Sequence, residues 1–211
     1  MTEPVTLSPV TLLPVTPSQT IGPFYGYALP FPGGAELVPA AHPDAVTVHG
    51  YVLDGAGRPI PDALLEIWQA APDGSLAGAP GSLRSDQSSS ALLGRDHTRF
   101  TGFARVPTDG DGHYAIRTLI PAALGASAPY LSVCLFARGL LHHLYTRVYF
   151  ADQAEANAGD PLLAALEPAR RATLVTELER PGSHRFDLRI QQGGDGDDAD
   201  PETVFLEFAG G

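Results

Sequence analysis

The stretch "AVTVHGYVLDGAGRPIPDALLEIWQ", residues 45–69, decides the fold class of this chain. Its two ends, "AVTVHGYVL" and "ALLEIWQ", are short, have a dominant period of two and are rich in β-branched and aromatic residues, which indicates strands. Between them, "DGAG" at 54–57 has the composition of a turn. We therefore expect two strands separated by a turn.

The same pattern recurs through the rest of the chain. We predict further strands at 97–106, 113–120, 130–138, 144–150, 184–190 and 202–208. Turn sequences such as "DGDG" at 109–112 separate several of them. Many short strands separated by turns favour an antiparallel sandwich or barrel, and we predict an all-β antiparallel β-sandwich of about eight strands. Alternation along 184–190 and 202–208 predicts one buried and one solvent-facing side for each of these strands.

Two segments depart from this pattern. In "GDPLLAALEPARRATLVTELER" (159–180), Asp160 can cap a helix with Pro161 at its first position, and Pro168 can open a second helix. We predict a helical insertion at about 160–180, with one short and one longer helix. The first 44 residues contain nine prolines and little periodicity. We expect an extended N-terminal arm with loops at 1–44 and a single sandwich domain at 45–211.

Composition limits the possible functions. The 211 residues carry a net charge of −11, which argues against nucleic acid or an anionic membrane as a partner. The only cysteine, Cys134, lies in an apolar run, so we expect a core thiol and a reducing, cytoplasmic location. We expect neither a signal peptide nor a membrane span, because the sequence contains no long apolar stretch.

The residues alone reveal little chemistry. None of the seven histidines forms a His-x-His or HExxH pattern, so the metal signal is weak. The "DGDG" run at 109–112 has the composition of a hairpin turn rather than of a calcium loop. Glu66, placed between Leu65 and Ile67, predicts a buried carboxylate whose partner is a structural group such as an arginine rather than a substrate.

Residues 48–78 closely resemble the signature segment of intradiol ring-cleavage dioxygenases. Four more segments resemble one branch of that family, the iron-free alpha chains: "TPSQTIGPF" (16–24), "APYLSVCLFARGLLHHLYTRVYF" (128–150), "HRFDLRIQ" (184–191) and "ETVFLEF" (202–208). The resemblance extends from about Thr16 to Phe208, and its motifs occur in the family's order. It implies the family's β-sandwich fold.

The resemblance also identifies the positions at which iron-bearing members hold ferric iron with two tyrosinates and two histidines. These positions fall on Leu76, Leu124, Tyr130 and Ser132. Leucine cannot coordinate iron, and a lone tyrosine beside a serine is not a ferric site. The resemblance thus implies that this chain binds no metal, is inactive alone, and that the Fe(III) of the complete enzyme belongs to a beta chain.

Four residues of this chain match alpha-chain positions that border the partner's active site: Thr20, Gly22, Pro23 and Arg138. Gly22 allows the backbone to approach a ligand closely, and Pro23 fixes the direction of the chain. On a regular strand, Arg138 would stand roughly 26 Å from Tyr130, too far to serve this chain's own former site. Two alternatives remain open: the arm only stabilises the dimer, and Arg138 only forms an interface salt bridge.

The function implied by the resemblance is aromatic degradation through the beta-ketoadipate pathway. The enzyme would open the ring of protocatechuate with O₂ to give 3-carboxy-cis,cis-muconate, in a symmetric hetero-oligomer of alpha and beta chains. An alternative is a non-catalytic binding sandwich of transthyretin or carboxypeptidase-regulatory type, which residues 48–78 also resemble. A third hypothesis is a self-sufficient dioxygenase with unusual iron ligands.

Overall fold

The computed structural model of the chain describes residues 22–77, 83–89, 92–95, 98–193 and 200–207. In these ranges the strands are β1 Val46–Leu53, β2 Leu64–Trp68, β3 Leu83–Ser85, β4 Leu92–Arg95, β5 Phe103–Pro107, β6 His113–Thr118, β7 Tyr130–Phe136, β8 Leu144–Tyr149, β9 Glu177–Arg180, β10 Ser183–Arg185 and β11 Leu188–Arg189. The α-helices are α1 Tyr25–Ala28, α2 Ala154–Ala158, α3 Pro161–Ala164 and α4 Pro168–Ala172, and 3₁₀ turns occupy Gly22–Phe24 and Ala151–Gln153.

The first sheet is built around β1. Strand β6 pairs antiparallel with one edge of β1, while β10 and β11 pair with the other edge, and β9 pairs with β10. The β10 and β11 pairings are parallel to β1, which differs from the predicted all-antiparallel arrangement. The chain between β1 and β10, which contains the whole second sheet and the helical segment, provides the long connection that parallel pairing requires.

The second sheet is antiparallel throughout, in the order β5-β2-β7-β8. Its inner face and that of the first sheet enclose the main core, which includes Val48, Val52, Leu65, Ile67, Ile116, Leu131, Val133, Leu135, Val148 and Leu188. On β7, Leu131, Val133 and Leu135 all face this core, as the period of two predicts. Burying each of these side chains contributes about 1.5–3 kcal/mol, so the sandwich is fixed by its alternating strands.

The predicted strand at 184–190 is interrupted between β10 and β11. The Oδ1 atom of Asp187 accepts a hydrogen bond from the backbone N–H of Tyr51 at 3.0 Å, so a side chain replaces one backbone bond of the ladder. Here the Phe186 carbonyl also approaches Gly50 so closely that a Cβ on that glycine would lie 1.9 Å from the oxygen. Only glycine fits at this position, and the two short strands follow from this local contact.

The prediction of a strand at 202–208 is wrong. Leu206 forms only an isolated bridge with Tyr145, and Phe208 lies outside the described residues. Val204 and Leu206 pack in a second apolar cluster, whereas Phe205 packs against the main core. Because both sides of this segment contact apolar residues, it has no solvent-facing side of the kind the alternation predicts.

The helical insertion is confirmed in part. Asp160 caps α3 as predicted, since its Oδ1 atom accepts hydrogen bonds from the N–H groups of Leu162 and Leu163. The prediction of a longer second helix is wrong, because α4 has five residues and 177–180 form strand β9. After α4 the chain pairs with the edge of β8, where Tyr149 hydrogen-bonds to Leu174 and Thr176 through the backbone. In the described ranges, no helix is long and apolar enough to cross a membrane.

The described part of the arm, from Gly22 onward, is tied into the sandwich. The carbonyl of Gly34 accepts a hydrogen bond from the N–H of Arg105 on β5, and the N–H of Leu37 donates to the carbonyl of Arg117 on β6. Through these bonds the arm connects β5, at the edge of the second sheet, to β6, at the edge of the first. Leu37 is fully buried in the main core. The domain division at residue 44 stays a prediction.

Candidate functional site

The outer face of the second sheet carries most of the residues that the sequence selects. Tyr130, Ser132, Cys134 and Phe136 of β7 lie on it, because the intervening residues point into the core. Two predicted regions occupy opposite ends of this strand: the former ligand positions Tyr130 and Ser132 at its start, and Arg138 just beyond its end.

At the start of β7, an arginine fills the space beside the former ligand positions. Arg147 lies directly across from Ser132 in the β7–β8 ladder, and its guanidinium carbon lies 4.0 Å from the centre of the Tyr130 ring. One terminal nitrogen donates to the hydroxyl oxygen of Tyr149 at 3.2 Å and to that of Ser127 at 3.5 Å. We call these five residues the Tyr130 pocket.

The electrostatics of the Tyr130 pocket favour a fixed guanidinium and a protonated Tyr149. Burial alone would lower the pKa of Arg147, but its hydrogen bond to Tyr149 and the charges around it, including that of Asp160, raise the pKa overall. Burial raises the pKa of Tyr149 to about 12, against the opposing effect of Arg147. A neutral phenol is a poor ligand for ferric iron, which requires tyrosinate.

The other two former ligand positions also fail to supply iron ligands. Leu76 is 72% exposed on a loop after β2, and Leu124 is half-buried in an isolated bridge with Ser127. Across the described ranges, no group of three or more His, Cys, Asp or Glu side chains is placed to hold a metal ion. The residues at these positions do not fit ferric iron, because they combine aliphatic side chains with a resident positive charge.

Beyond the other end of β7, Arg138 lies at the surface beside a carboxylate. Its Nε atom donates to Oδ2 of Asp62 at 2.6 Å, and the Arg138 side chain is 65% exposed while that of Asp62 is 15% exposed. The pair borders a cavity of about 310 Å³ that is also lined by Asp54, Pro59, Ile60 and Pro61. No described residue accepts a hydrogen bond from the two terminal nitrogens of Arg138, so they remain available to an anion.

The arm enters the same neighbourhood through Tyr25. Its ring is buried and packs against Phe136 with the ring centres 6.1 Å apart. Burial, followed by the negative charge of Asp62, raises the pKa of Tyr25 to about 12, while Arg138 acts in the opposite direction. Among the described residues, neither the hydroxyl of Tyr25 nor Oδ1 of Asp62 has a hydrogen-bond partner. We call Tyr25, Asp62 and Arg138 the Arg138 edge.

The predicted residues of the arm are described only in part. Gly22 and Pro23 lie in the 3₁₀ turn that leads directly into α1, whose first residue is Tyr25. Gly22 has a φ of +68°, which glycine adopts readily and other residues rarely. Thr20 lies outside the described residues. The arm therefore reaches the Arg138 edge within one helical turn of Gly22.

Glu66 has the structural role that the sequence predicts. Nε and a terminal nitrogen of Arg105 lie 2.8 and 2.6 Å from its Oε1 atom, on the outer face of the second sheet. Beside Glu66, burial raises the pKa of the Cys134 thiol to about 12, which makes it a buried, unreactive thiol on the outer face of the sheet and not in the core between the sheets. Arg105 also donates to the backbone carbonyl of Leu29, so the same ion pair fixes the arm against the sheet.

Sequence reasoning missed five residues of these two regions, namely Tyr25, Asp62, Ser127, Arg147 and Tyr149. Asp62 and Tyr25 gave no signal, because only the fold brings them to Arg138, which is distant in sequence from both. Arg147 gave a signal that went unused: in "LYTRVYF" it stands two residues before Tyr149 and so shares a strand face with it. The period of two could have placed this arginine beside Tyr130 once β7 and β8 were paired.

The chain is similar to known proteins along most of its length. Residues 39–191 match the dioxygenase family. The chain is 40% identical to the protocatechuate 3,4-dioxygenase alpha chain of Burkholderia cepacia, over 94% of its own length and all of that protein. It is 31% identical to the protocatechuate 3,4-dioxygenase beta chain of the same species, over 72% of this chain and 60% of the beta chain.

The fold has a counterpart among solved structures. The intradiol ring-cleavage dioxygenase from Tetranychus urticae superposes with a TM-score of 0.52 at 16% identity, over 74% of this chain and 84% of that one. This similarity shows the β-sandwich fold. The alignment over the whole length of an alpha chain shows to which branch of the family this chain belongs. This chain belongs to the intradiol dioxygenase family and, within it, to the alpha chains of protocatechuate 3,4-dioxygenase.

Proposed function

We propose that this chain is the alpha subunit of a protocatechuate 3,4-dioxygenase and acts with a beta chain as its partner. Its similarity to both an alpha and a beta chain supports a pair of related folds. Two related chains pair most simply about a pseudo-twofold axis, and such pairs can assemble further into a larger symmetric hetero-oligomer. The enzyme would work in the cytoplasm, where a single reduced cysteine is usual.

In this proposal the beta chain holds the Fe(III), and this chain holds no iron at the positions that match the family's ligands. The support lies in the Tyr130 pocket, where a guanidinium occupies the space beside the former ligand positions. A trivalent cation placed beside that positive charge would be repelled strongly at partial burial. The reaction therefore has to take place on the partner chain.

The contribution of this chain to the reaction comes from the Arg138 edge, and the observation that carries the proposal is the geometry of Arg138. Its Nε is held by Asp62, while its terminal nitrogens face solvent. A guanidinium held in this way offers two parallel N–H groups, the arrangement that binds a carboxylate in two places. Protocatechuate is an aromatic carboxylate, and a chain of net charge −11 needs a local positive group to attract it.

The arm forms the second part of the same wall. Gly22 and Pro23, with Thr20 before them, would line the partner's substrate pocket next to Arg138. The support is the short path from Gly22 to Tyr25, which lies against Phe136 and near Asp62. The wall would hold the ring so that O₂ cleaves it between its two hydroxyl-bearing carbons, giving 3-carboxy-cis,cis-muconate.

The experiment that tests this function compares the chain expressed alone with the chain coexpressed with its beta partner. Iron content and protocatechuate-dependent oxygen uptake are measured for both preparations. We expect iron and activity only in the coexpressed complex. Stoichiometric iron with oxygen uptake in the lone chain would overturn the proposal and would favour a self-sufficient dioxygenase.

The alternative of a non-catalytic binding sandwich finds no particular support. It accounts for the resemblance of residues 48–78 only, whereas the similarity to an alpha chain extends over 94% of the chain. Copurification decides between the two hypotheses. A tagged form of this chain should bring down a second chain of related sequence, and a chain that stays single under the same conditions would favour the binding module.

A further inference from the structure

The outer face of the first sheet, on the opposite side of the sandwich from the Arg138 edge, carries two histidines in contact. His49 lies on β1 and His113 on β6, and both side chains point away from the core. The Nδ1 atom of His49 lies 3.4 Å from the Nε2 atom of His113. Neither residue has a part in the function proposed above.

The second nitrogen of each ring faces a carboxylate. Nε2 of His49 lies 2.9 Å from Oε2 of Glu179, and Nδ1 of His113 lies 4.0 Å from Oδ2 of Asp109. A carboxylate on one ring nitrogen keeps the proton there and leaves a lone pair on the other nitrogen. The hydrogen bond to Glu179 thereby sets His49 to present the lone pair of its Nδ1 atom toward His113, whereas Asp109 lies beyond hydrogen-bond range of the His113 ring and adds negative charge only.

The separation of the two facing nitrogens fits shared coordination better than a direct hydrogen bond. At 3.4 Å it lies beyond the usual hydrogen-bond range of about 2.7–3.2 Å. Two imidazole nitrogens on one tetrahedral zinc ion, each about 2.0–2.1 Å from the metal, lie roughly 3.3–3.4 Å apart. A cation shared by the two nitrogens would replace this long contact with two short bonds.

The surroundings favour a cation. Glu179 and Asp109 carry negative charge beside the pair, and the nearby Arg185 is neutralised by Asp187 at 2.8 Å. His49 is 21% exposed and His113 is 32% exposed, so water can complete the coordination of an ion. The site is separate from the Tyr130 pocket, which lies on the other sheet.

We propose that His49 and His113 form a binding site for a divalent transition-metal ion of the zinc and copper class. Their facing nitrogens supply two ligands, Glu179 orients the His49 ring from behind, and Asp109 adds negative charge beside His113. Water or an external ligand supplies the remaining positions. With two protein ligands the site is weaker than a closed four-ligand zinc site, and Cu²⁺ should bind more tightly than Zn²⁺.

The proposal is tested by titrating the untagged full-length chain with Zn²⁺ and with Cu²⁺ in a calorimeter. We expect one ion per chain at this site. His49→Ala and His113→Ala should each weaken that binding at least tenfold, and Glu179→Gln should weaken it at least threefold while keeping both ligands. His42→Ala, which removes a histidine elsewhere on the surface, should leave it unchanged.

Three results would overturn the site. The first is the absence of any Zn²⁺ or Cu²⁺ binding by the wild-type chain at millimolar metal, which would leave a plain contact between two histidines. The second is metal binding that both alanine variants retain in full. The third is an equal loss in His42→Ala, which would indicate binding by scattered surface histidines. Melting curves of each variant without metal confirm that a loss of binding is not a loss of folding.

Discussion

The two ends of strand β7 place an arginine in opposite situations. Arg147, at the Tyr130 pocket, stacks on a tyrosine ring and donates to two hydroxyls of its own chain. Arg138, at the other end, is held through one nitrogen by Asp62 and exposes the rest of its guanidinium. We call the end with Arg147 the filled end of this sheet face, because its guanidinium is enclosed, and the end with Arg138 the open end, because its guanidinium is exposed. The difference separates an arginine whose hydrogen bonds are used within the chain from one whose terminal nitrogens are exposed to solvent.

Removing the open arginine should have the largest effect. In the complex with the beta chain, Arg138→Ala should lower kcat/KM for protocatechuate by about 100-fold, because a charged hydrogen-bonded contact to the substrate carboxylate is lost. Steady-state oxygen uptake measures the change. Arg58→Ala is the matched control, since Arg58 is an exposed arginine paired with Asp54 in a nearby turn.

Unchanged kinetics of Arg138→Ala in an intact complex would contradict a role in the substrate pocket. If the complex instead dissociates in this variant while the activity per remaining complex is normal, Arg138 is an interface residue. Size-exclusion chromatography run beside the assay separates the two outcomes.

Removing the enclosed arginine should affect stability and leave activity alone. Arg147→Met should lower the free energy of unfolding by about 2 kcal/mol, because the hydroxyls of Tyr149 and Ser127 lose their donor and the Tyr130 ring loses its cation. Urea unfolding measures the loss. Arg180→Met, on the exposed strand β9, should change stability by less than about 0.5 kcal/mol.

If Arg147→Met in the assembled enzyme lost activity as Arg138→Ala does, the contrast between a filled and an open end would fail. Equal stabilities of Arg147→Met and the wild-type chain would likewise show that the guanidinium is not integral to the pocket.

High pH should reveal how much the protonated Tyr25 hydroxyl contributes to the stability of the folded chain. Its pKa is raised to about 12 in the folded chain, so the stability it provides is complete below about pH 10 and is lost as the pH rises toward 12. At pH 11 the loss from this residue alone is about 1.4 kcal/mol. Urea midpoints at pH 8 and pH 11 should therefore fall further apart in the wild-type chain than in Tyr25→Phe.

Tyr27→Phe is the control for this titration, because Tyr27 is 85% exposed in the same helix. The Tyr27→Phe variant should show the same difference in urea midpoint between pH 8 and pH 11 as the wild-type chain. If the urea midpoint of Tyr25→Phe fell between pH 8 and pH 11 as much as that of the wild-type chain, the Tyr25 hydroxyl would be solvated. The placement of the arm beside Asp62 would then be wrong.

Weakening the anchor of Arg138 should have the smallest effect. Asp62→Asn should raise the KM for protocatechuate about two- to fivefold with little change in kcat, because an exposed ion pair contributes roughly 0.5–1 kcal/mol to holding the guanidinium. Asp111→Asn, in an exposed turn, serves as the control. A fall in kcat with constant KM would indicate a role in the chemical step and not in positioning.

Strand positions were well predicted where one side of a strand faces the core. Val48 and Val52 on β1, and Leu131 and Val133 on β7, have the expected inward period. The prediction failed at 202–208, where apolar side chains on both sides meet different clusters, so alternation did not distinguish a strand from an irregular segment. It failed again after α4, where hydrogen bonds to the edge of β8 override helix propensity.

The sequence was enough to select residues for the candidate site, but it did not predict which residues contact one another there. The resemblance selected Arg138 and Gly22, and local pattern selected Glu66 as half of an ion pair. No local rule links Arg138 with Asp62, because their contact joins residues far apart in sequence and depends on where β7 ends. His49 and His113 escaped for the same reason, since a search for His-x-His cannot find ligands on two different strands.

The parallel pairing in the first sheet has a consequence for synthesis on the ribosome. Val48 of β1 lies opposite His184 of β10, and the ribosome needs on the order of 10 s to make the residues between them. The second sheet is complete in the nascent chain once β8 has emerged. β1 is thus made early yet waits for its last neighbours, so its edge, like the edge of β8 that later pairs with 174–176, stays unpaired until the C-terminal segment is released. That interval is when a chaperone, or the beta chain itself, would find the most to bind.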